Sequence, residues 1–222
     1  MNTNLEVSNP QPPKKNDLKA ILEMPEVKQR FLDVLGKRAH AFMSSIISVV
    51  NTNNSLKKCE PMSVVSAAAT AAAMDLPVTT GLGFAHIVPY RTRGVYKAQF
   101  QLGWKGFLQL ALRSGQYKTV NITGVMEGEI KKHNKFTGEI EFDESARTSD
   151  NTEGYLLYFR LLNGYEKYFF MTCEEIRAHG KKYSASFKKN EGLWVDNFEA
   201  MALKTVAKLG LSKYGVLSVE MQ

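Results

Sequence analysis

Few side chains in this sequence have the types and spacing that bond-making chemistry requires. The histidines are scattered along the chain, and we interpret all of them as structural or surface residues: His40, His86, His133 and His179. No Gly-x4-Gly-Lys-Ser/Thr frame for nucleotide phosphates occurs, and His86 stands where a dinucleotide-binding loop starting at Gly81 would need its third glycine. The sequence therefore predicts a protein without catalytic residues.

Three acidic side chains alternate along one predicted strand, where they could bind a hard cation: Glu139, Glu141 and Asp143. Oxygen-ligand sites normally gather carboxylates from several elements, so we favour a solvated strand face and predict neither a metal nor any other cofactor. Binding of a divalent cation as a cofactor remains an alternative, but no feature of the sequence supports it. Cys59 and Cys173 are 114 positions apart, without zinc-ligand spacing or a disulfide framework. The polar start of the chain lacks the apolar core of a signal peptide, so we expect a cytoplasmic protein without a membrane span.

The positive charge of the chain is concentrated in two segments. The 222 residues include 29 Lys and Arg against 22 Asp and Glu, a net charge of +7. Residues 76–126 and 176–190 contain no acidic residue, whereas residues 127–153 hold eight acidic and four basic residues, a net of −4. Because the excess is local, it predicts a surface that binds an anionic partner.

Aromatic and basic residues are interleaved over residues 90–117, a mixture typical of grooves for single-stranded nucleic acid, where cations contact phosphates and aromatic faces stack on bases. A competing interpretation places the aromatics in the core, and it is favoured for Phe100 and Phe107. Acids from residues 127–153 could also neutralise the cations. Lys204 and Lys208, four residues apart on the last predicted helix, share one face. The candidate nucleic-acid-binding residues are Arg91, Arg93, Tyr96, Lys97, Trp104, Lys105, Arg113, Lys118, Lys182, Lys204 and Lys208.

The elements that would position these residues predict an α+β fold, a single domain in which a mostly antiparallel sheet with hairpins packs against several helices. Periodicity predicts helices over residues 27–35, 37–50, 62–74, 104–113 and 193–209, and a Thr172-Cys173-Glu174-Glu175 capping box opens another helix toward residue 182. Extended segments are predicted over residues 85–89, 95–102, 120–125, 130–142, 155–162 and 165–171. Hairpin turns are predicted at Arg91-Thr92-Arg93-Gly94 and at Asn163-Gly164, the latter of type I′.

Three ordered blocks resemble the RecT family of phage recombinases, and the resemblance extends from about residue 24 to the end. The sequence GWKGFLQLALRSG at residues 103–115 is similar to the family's Gly-aromatic-basic-Gly and Leu-Ala-x-Arg-Ser-Gly signature. LGFAHIVPY at residues 82–90 resembles the segment just upstream, and Trp194 followed by EAMALKT at residues 199–205 resembles the C-terminal Trp…Met-Ala-x-Lys-Thr helix. Family members often carry two adjacent basic residues soon after the Lys-Thr pair, where this chain has Lys208-Leu209-Gly210.

The resemblance implies a single-strand annealing protein, which binds single-stranded DNA and pairs complementary strands without ATP. It also implies rings or helical filaments of the protein on DNA and on the annealed duplex intermediate. A cognate exonuclease and a host single-strand binding protein would be its partners in the bacterial cytoplasm. On this basis residues 1–23 are predicted to be a disordered lead-in and residues 24–222 the annealing domain. Residues 24–75 would mediate subunit contacts, and residues 76–222 would form the DNA groove.

Two other functions fit the sequence less well. A basic module could bind nucleic acid or an acidic partner without annealing anything, and it would not accelerate duplex formation between complementary oligonucleotides. A nuclease would need a metal, for which the acidic strand face is the support. Divalent-dependent degradation of DNA, abolished by substitution of Glu139 or Asp143, would reveal it.

Overall fold

The computed structural model describes residues 17–217, with the backbone alone at residues 185 and 186. The chain divides into two compact units, the first ending at Gln101 and the second beginning at Leu102. Both units contain helices and paired strands, which confirms the predicted α+β class. The predicted boundary between a helical part and a groove part, after residue 75, falls inside the first unit.

The described part of the first unit contains four α-helices and one hairpin: α1 (Leu18–Leu22), α2 (Pro25–Leu35), α3 (Ala39–Asn51), α4 (Pro61–Ala73), β1 (Ala85–Thr92) and β2 (Val95–Leu102). Small side chains let α4 pack closely, and it buries Ala67, Ala68, Ala71 and Ala72. Helix α1 corrects the predicted lead-in over residues 1–23, because Ile21 and Leu22 are buried on it. Residues 1–16 lie outside the described residues.

The β1–β2 hairpin turns at Arg93 and Gly94, whose φ angles are 51° and 84°. Turns with two positive φ angles match the twist of antiparallel strands, so the predicted hairpin is confirmed, with Arg93 also in the left-handed region. The start of α4 contacts β2. The Glu60 N–H donates to the Tyr96 carbonyl at 3.0 Å, and the Ala98 N–H donates to the Ser63 hydroxyl at 2.8 Å. These bonds satisfy polar groups along the edge of the hairpin.

The described part of the second unit combines a three-stranded sheet, a two-stranded sheet and five α-helices. Its elements are α5 (Trp104–Arg113), β3 (Tyr117–Met126), β4 (Ile130–His133), β5 (Ile140–Phe142), β6 (Thr152–Leu161), β7 (Glu166–Thr172), α6 (Cys173–Tyr183), α7 (Ala185–Lys188), α8 (Leu193–Asp196) and α9 (Phe198–Tyr214). The larger sheet has the order β3-β6-β7, with both pairs antiparallel. Strands β4 and β5 pair as an antiparallel hairpin.

The core of the second unit lies between the central strand β6 and helices α5, α6 and α9. One face of β6 contributes Tyr155, Leu157, Phe159 and Leu161 to this core. Helix α9 approaches the sheet closely because residue 210 is glycine: a Cβ atom there would lie 2.4 Å from Leu157 Cδ2. On the other face, Val125, Ile140 and Leu156 form a smaller cluster under the β4–β5 hairpin. The sheet is therefore covered on both faces, by helices on one and by a hairpin on the other.

Three local predictions differ from the structure. The extended segment predicted over residues 130–142 folds back as β4 and β5, since Asn134 begins a turn in which its side chain accepts a hydrogen bond from the Phe136 N–H at 3.0 Å. The helix predicted over residues 193–209 is interrupted at Asn197, whose side chain caps α9 by accepting from the Ala200 N–H at 3.1 Å. The predicted type I′ turn is wrong: of the pair Asn163-Gly164 only Gly164 has a positive φ, and the four residues 162–165 connect β6 to β7.

Candidate nucleic-acid interface

A cleft of about 600 Å³ lies between α6 and α9 of the second unit. Two lysines, a histidine and two large aromatic side chains are among its walls, and the described residues that line it include no Asp or Glu. The lining residues are His179, Gly180, Tyr183, Ser184, Trp194, Met201, Lys204, Thr205, Lys208 and Leu209. We call this site the α6–α9 cleft. Its composition fits a partner that carries negative charge and has flat or apolar parts.

Lys204 and Lys208 provide the cleft with two cations on one face of α9. They are one helical turn apart, as the sequence predicts, and Lys204 is half-buried. Burial lowers the pKa of the Lys204 ammonium, and the neighbouring charge of Lys208 lowers it further. Because both effects penalise the positive charge, an anion bound in the cleft would relieve them.

Helix α6 forms the other wall and carries three relevant side chains. The ring centres of His179 and Tyr183 are 4.7 Å apart, and the Lys182 Nζ lies 5.2 Å from the centre of the Tyr183 ring. Burial lowers the pKa of the His179 imidazole, and the charges of Lys208 and Lys182 add to that effect. Lys182, which the sequence names as a candidate, and Lys208 of α9 therefore both lower the pKa of His179. The Tyr183 side chain is 67% exposed, which leaves it accessible to a ligand.

Local interactions fix the two helices that form the cleft. Helix α6 begins with the predicted capping box: the Thr172 hydroxyl accepts from the Glu175 N–H at 3.1 Å, and the Glu175 carboxylate accepts from the Thr172 N–H at 2.9 Å. At Gly180 a Cβ atom would lie 3.1 Å from the Trp194 ring, so glycine allows α6 to approach this buried indole. The cleft therefore has defined walls.

Other predicted residues of the second unit lie on α5 and β3. Lys105, Arg113 and Lys118 are all exposed, and the Lys105 Nζ lies 6.0 Å from the centre of the Trp104 ring. Trp104 lines a different cavity of about 260 Å³, which we call the Trp104 pocket. Its walls are Trp104, Leu108, Val120, Asn121, Ile122 and Leu203. Of the seven predicted residues in this unit, Lys204 and Lys208 line the α6–α9 cleft, and Lys182 lies on α6 beside Tyr183 without being one of the lining residues.

The remaining four predicted residues belong to the β1–β2 hairpin of the first unit. The Arg91 guanidinium lies 5.6 Å from the centre of the Tyr96 ring. Lys97 forms an ion pair with Glu60, 3.9 Å between Nζ and Oε2, so its acidic partner precedes α4 and does not come from residues 127–153. Tyr96 also lines a cavity of about 540 Å³ together with Lys57 and Lys58. These two lysines were missed because they lie outside the acid-free segments.

The acidic strand face predicted as a weak metal candidate has local partners. Glu141 and Asp143 pair with Lys132 and Lys131 at 3.7 and 3.6 Å. A hydrogen bond from the Ser145 hydroxyl lowers the pKa of the Asp143 carboxyl, and the nearby Lys131 adds to this effect. Within residues 17–217 no group of three or more His, Cys, Asp or Glu side chains is placed to hold a metal ion. None of the helices in this range is long and apolar enough to cross a bilayer.

Sequence reasoning also missed the cleft residues His179, Tyr183 and Trp194. The available signal was the spacing of His179 and Tyr183, four residues apart on a helix whose start the capping box marks. The spacing within α6 does not show which other helix packs against these two side chains, because that depends on the tertiary structure.

Comparison with known proteins gives consistent results. The model of the RecT family matches residues 40–222. A protein of Bacillus subtilis (strain 168), "Uncharacterized protein YqaK", is 50% identical over 205 residues, which cover 92% of this chain and 69% of that protein. "Protein RecT" of Escherichia coli (strain K12) is 28% identical over 223 residues, covering 94% of this chain and 79% of that protein.

Proposed function

The chain belongs to the RecT family, and from this premise we propose that it binds single-stranded DNA and anneals complementary strands without ATP. Family membership supports a general role in recombination by single-strand annealing. The observation that carries the proposal is the α6–α9 cleft, in which Lys204 and Lys208 share one wall without an acidic residue among the described lining. Phosphate groups are the anions that this cleft would hold.

Annealing demands that repulsion between two phosphate backbones be offset while the pairing edges of the bases stay free. Lysines meet the first demand, since ammonium groups contact phosphates without reading sequence. The exposed ring of Tyr183 gives a base or sugar an apolar surface beside the cations. Neither interaction occupies the hydrogen-bonding edge of a base, so a second strand has access to it. No bond is made or broken in this process, and no catalytic group is required.

In this proposal the other predicted cations also contact DNA phosphates, each within its own unit. In the second unit these are Lys105, Arg113 and Lys118, with Trp104 beside Lys105. In the first unit they are Arg91, Arg93 and Lys97, with Tyr96 beneath Arg91. If substitution of Lys105 and Arg113 by alanine left both the annealing rate and salt-dependent DNA binding unchanged, their assignment would be wrong.

We propose further that the protein works as a ring or helical homo-oligomer in the bacterial cytoplasm. A cognate exonuclease would expose its strand, and a host single-strand binding protein would share that strand. These partners follow from the kind of substrate. An annealing protein needs a single strand that another activity has made available.

Two complementary labelled oligonucleotides test the proposal directly. Fluorescence quenching on pairing reports duplex formation with and without the protein, in a buffer that lacks ATP. The proposal predicts faster duplex formation with the protein present. Binding of each oligonucleotide without acceleration would instead identify a basic module that binds nucleic acid and does not anneal it. Absence of binding would overturn both assignments.

A further inference from the structure

Lys204 is the half-buried member of the three lysines on α9, since Lys208 and Lys213 are exposed. It lies in the wall of the α6–α9 cleft together with the buried indole of Trp194. The described residues of that wall offer its ammonium group no carboxylate. A positive charge that is partly removed from water without an acidic partner is costly, so the surroundings of Lys204 favour the neutral amine.

The chemical state of Lys204 suits a nucleophile. Burial lowers the pKa of its ammonium group, and the neighbouring charge of Lys208 lowers that pKa further. Near neutral pH a larger share of this side chain is therefore a neutral amine than for an ordinary lysine, and the amine is the form that attacks a carbonyl carbon. Lysines that are desolvated or adjacent to a second cation form imines with carbonyl substrates in other proteins. Lys204 meets both conditions.

The other properties of the cleft indicate which carbonyl compound the amine would meet. The volume of about 600 Å³ is within the range of sites that bind small organic groups. The exposed Lys208 lies one turn along α9 and favours a phosphate group. In DNA, an aldehyde flanked by phosphates occurs at an abasic nucleotide, whose deoxyribose ring opens at C1′. An intact nucleotide carries its base on that carbon and offers no aldehyde.

We propose that Lys204 forms an imine with the aldehyde of an abasic nucleotide when single-stranded DNA lies in the α6–α9 cleft. This reaction rests on the proposed function, because the strand must first bind there. With an intact strand both Lys204 and Lys208 face phosphates. At an abasic nucleotide the missing base leaves space for the sugar beside Lys204, while Lys208 keeps a neighbouring phosphate. The reaction goes beyond annealing, and it holds a damaged strand on the protein until water reverses it.

Imine formation needs no oxidant, reductant or further reactant. The Lys204 Nζ attacks C1′ to form a nitrogen–carbon bond, and one amine proton moves to the carbonyl oxygen. The resulting hydroxyl group takes the second amine proton and leaves as water, so a carbon–nitrogen double bond replaces the carbon–oxygen double bond. His179 lines the facing wall of the cleft, and its imidazole is the group that accepts and donates these protons.

Borohydride trapping tests the imine. A labelled oligonucleotide with a single abasic site is saturated with the full chain, and sodium borohydride reduces the imine to a stable secondary amine. A covalent protein–DNA product should form, with the DNA remnant on Lys204 in peptide maps, and the intact oligonucleotide should give none. Arginine stays protonated and forms no stable imine, so Lys204→Arg should lower the yield per bound complex by about tenfold or more. Lys213→Arg, outside the cleft, should keep the wild-type yield.

Fluorescence anisotropy measures the bound fraction for each protein, which separates failure of the imine from failure of the proposed function. Absence of binding to either oligonucleotide would overturn both. Binding without a cross-link at Lys204, or cross-links spread equally over Lys204 and Lys213, would overturn the imine alone.

Pyridoxal 5′-phosphate, a small aldehyde that carries a phosphate, probes the amine without DNA. Followed by borohydride, it should modify Lys204 at least about fivefold faster than the exposed Lys213, because Lys204 has the larger share of neutral amine. Saturation with intact single-stranded DNA should slow this modification. Rapid modification of Lys204 without any cross-link to the abasic strand would overturn the proposal for DNA and assign the amine to a small phosphorylated aldehyde.

Discussion

Lys204 and Lys208 repel each other in the folded chain, and this repulsion is the source of the proposed affinity for an anion. Burial of Lys204 lowers its pKa, and Lys208 lowers it further. Each effect destabilises the charged cleft when it is empty and is offset when a phosphate enters. Lys97, by contrast, forms an ion pair with Glu60, so we expect it to contribute less to the proposed phosphate binding. We therefore expect phosphate binding by each cation to depend on its own surroundings and not on the net charge of +7.

Alanine at Lys204 or Lys208 should weaken binding to single-stranded DNA and reduce its dependence on salt. Each phosphate contact that is lost releases one counterion fewer, so the slope of log K against log salt should become shallower by about 0.7. Fluorescence anisotropy over a series of salt concentrations measures this slope. Lys213→Ala, an exposed position on the same helix outside the cleft, is the matched control and should keep the wild-type slope. Equal slopes in all three variants would exclude the cleft as a phosphate site.

His179 should make DNA binding stronger at lower pH. In the free protein burial and the charges of Lys208 and Lys182 hold the pKa of His179 below its ordinary value. A bound phosphate adds negative charge and raises that pKa, so binding takes up protons. Affinity then increases as pH falls from about 8 to about 6.

Anisotropy titrations across this pH range with His179→Gln provide the comparison. Glutamine keeps a polar side chain without an ionisable ring, so the pH dependence should become flatter while binding at high pH stays near wild type. A wild-type dependence in His179→Gln would show that another group takes up the proton.

At the scale of elements, the proposed function requires α6 and α9 to keep a fixed distance. Two glycines set their approach to the core: Gly180 faces Trp194, and Gly210 faces Leu157. Caps at Thr172 and Asn197 fix where the two helices start. These are stability features whose loss would disturb the cleft indirectly.

Thr172→Ala should lower the free energy of unfolding by about 1 kcal/mol, because it removes one of the two hydrogen bonds of the capping box and leaves a helix N–H without its partner. Urea unfolding followed by circular dichroism measures the change. Lys181→Ala, an exposed position on the same helix, is the control and should stay within about 0.5 kcal/mol of wild type. Wild-type stability of Thr172→Ala would contradict the role given to the capping box.

Gly210→Ala should destabilise the chain by about 1–3 kcal/mol, although alanine favours a helix more than glycine does. The new methyl group would lie 2.4 Å from Leu157 Cδ2 and 3.0 Å from Phe169 Cδ1, and Leu157 is fully buried. Thermal unfolding against Ser212→Ala, on the exposed side of α9, separates this clash from helix propensity. A stabilised Gly210→Ala protein would mean that the core adjusts without cost.

Sequence reasoning succeeded where short-range physics determines the outcome. The helix Trp104–Arg113 was predicted with its exact ends, since glycines flank it, and so was the capping box at Thr172. It failed where a turn depends on contacts elsewhere. Residues 130–142 alternate like one strand, yet the chain reverses at Asn134 because Ile130 and Ile140 both bury themselves against the sheet. Asn163-Gly164 forms a hairpin loop with one positive φ instead of two.

At the scale of the whole molecule, charge is distributed by segment, and the segments fall into both units. The acid-free residues 76–126 continue from the first unit into the second, while the acid-free residues 176–190 lie in the second. The sequence named Lys182, Lys204 and Lys208 as candidates, and the family blocks indicated the RecT family, which the family model confirms. That α6 and α9 form a common cleft could not be predicted, because their apposition depends on packing around β6. His179 and Tyr183 could not be predicted as cleft residues for the same reason.

The annealing rate of a protein with both Lys204→Ala and Lys208→Ala is the most direct test of the account. Complementary labelled oligonucleotides are mixed without ATP in the presence of wild type, this double variant or Lys213→Ala, and unfolding in urea confirms that all three are equally stable. The account predicts that wild type and Lys213→Ala accelerate pairing, whereas the double variant loses about tenfold or more of that acceleration, equivalent to about 1.4 kcal/mol. A double variant that folds normally and anneals at the wild-type rate would contradict the claim that the α6–α9 cleft binds the DNA backbone.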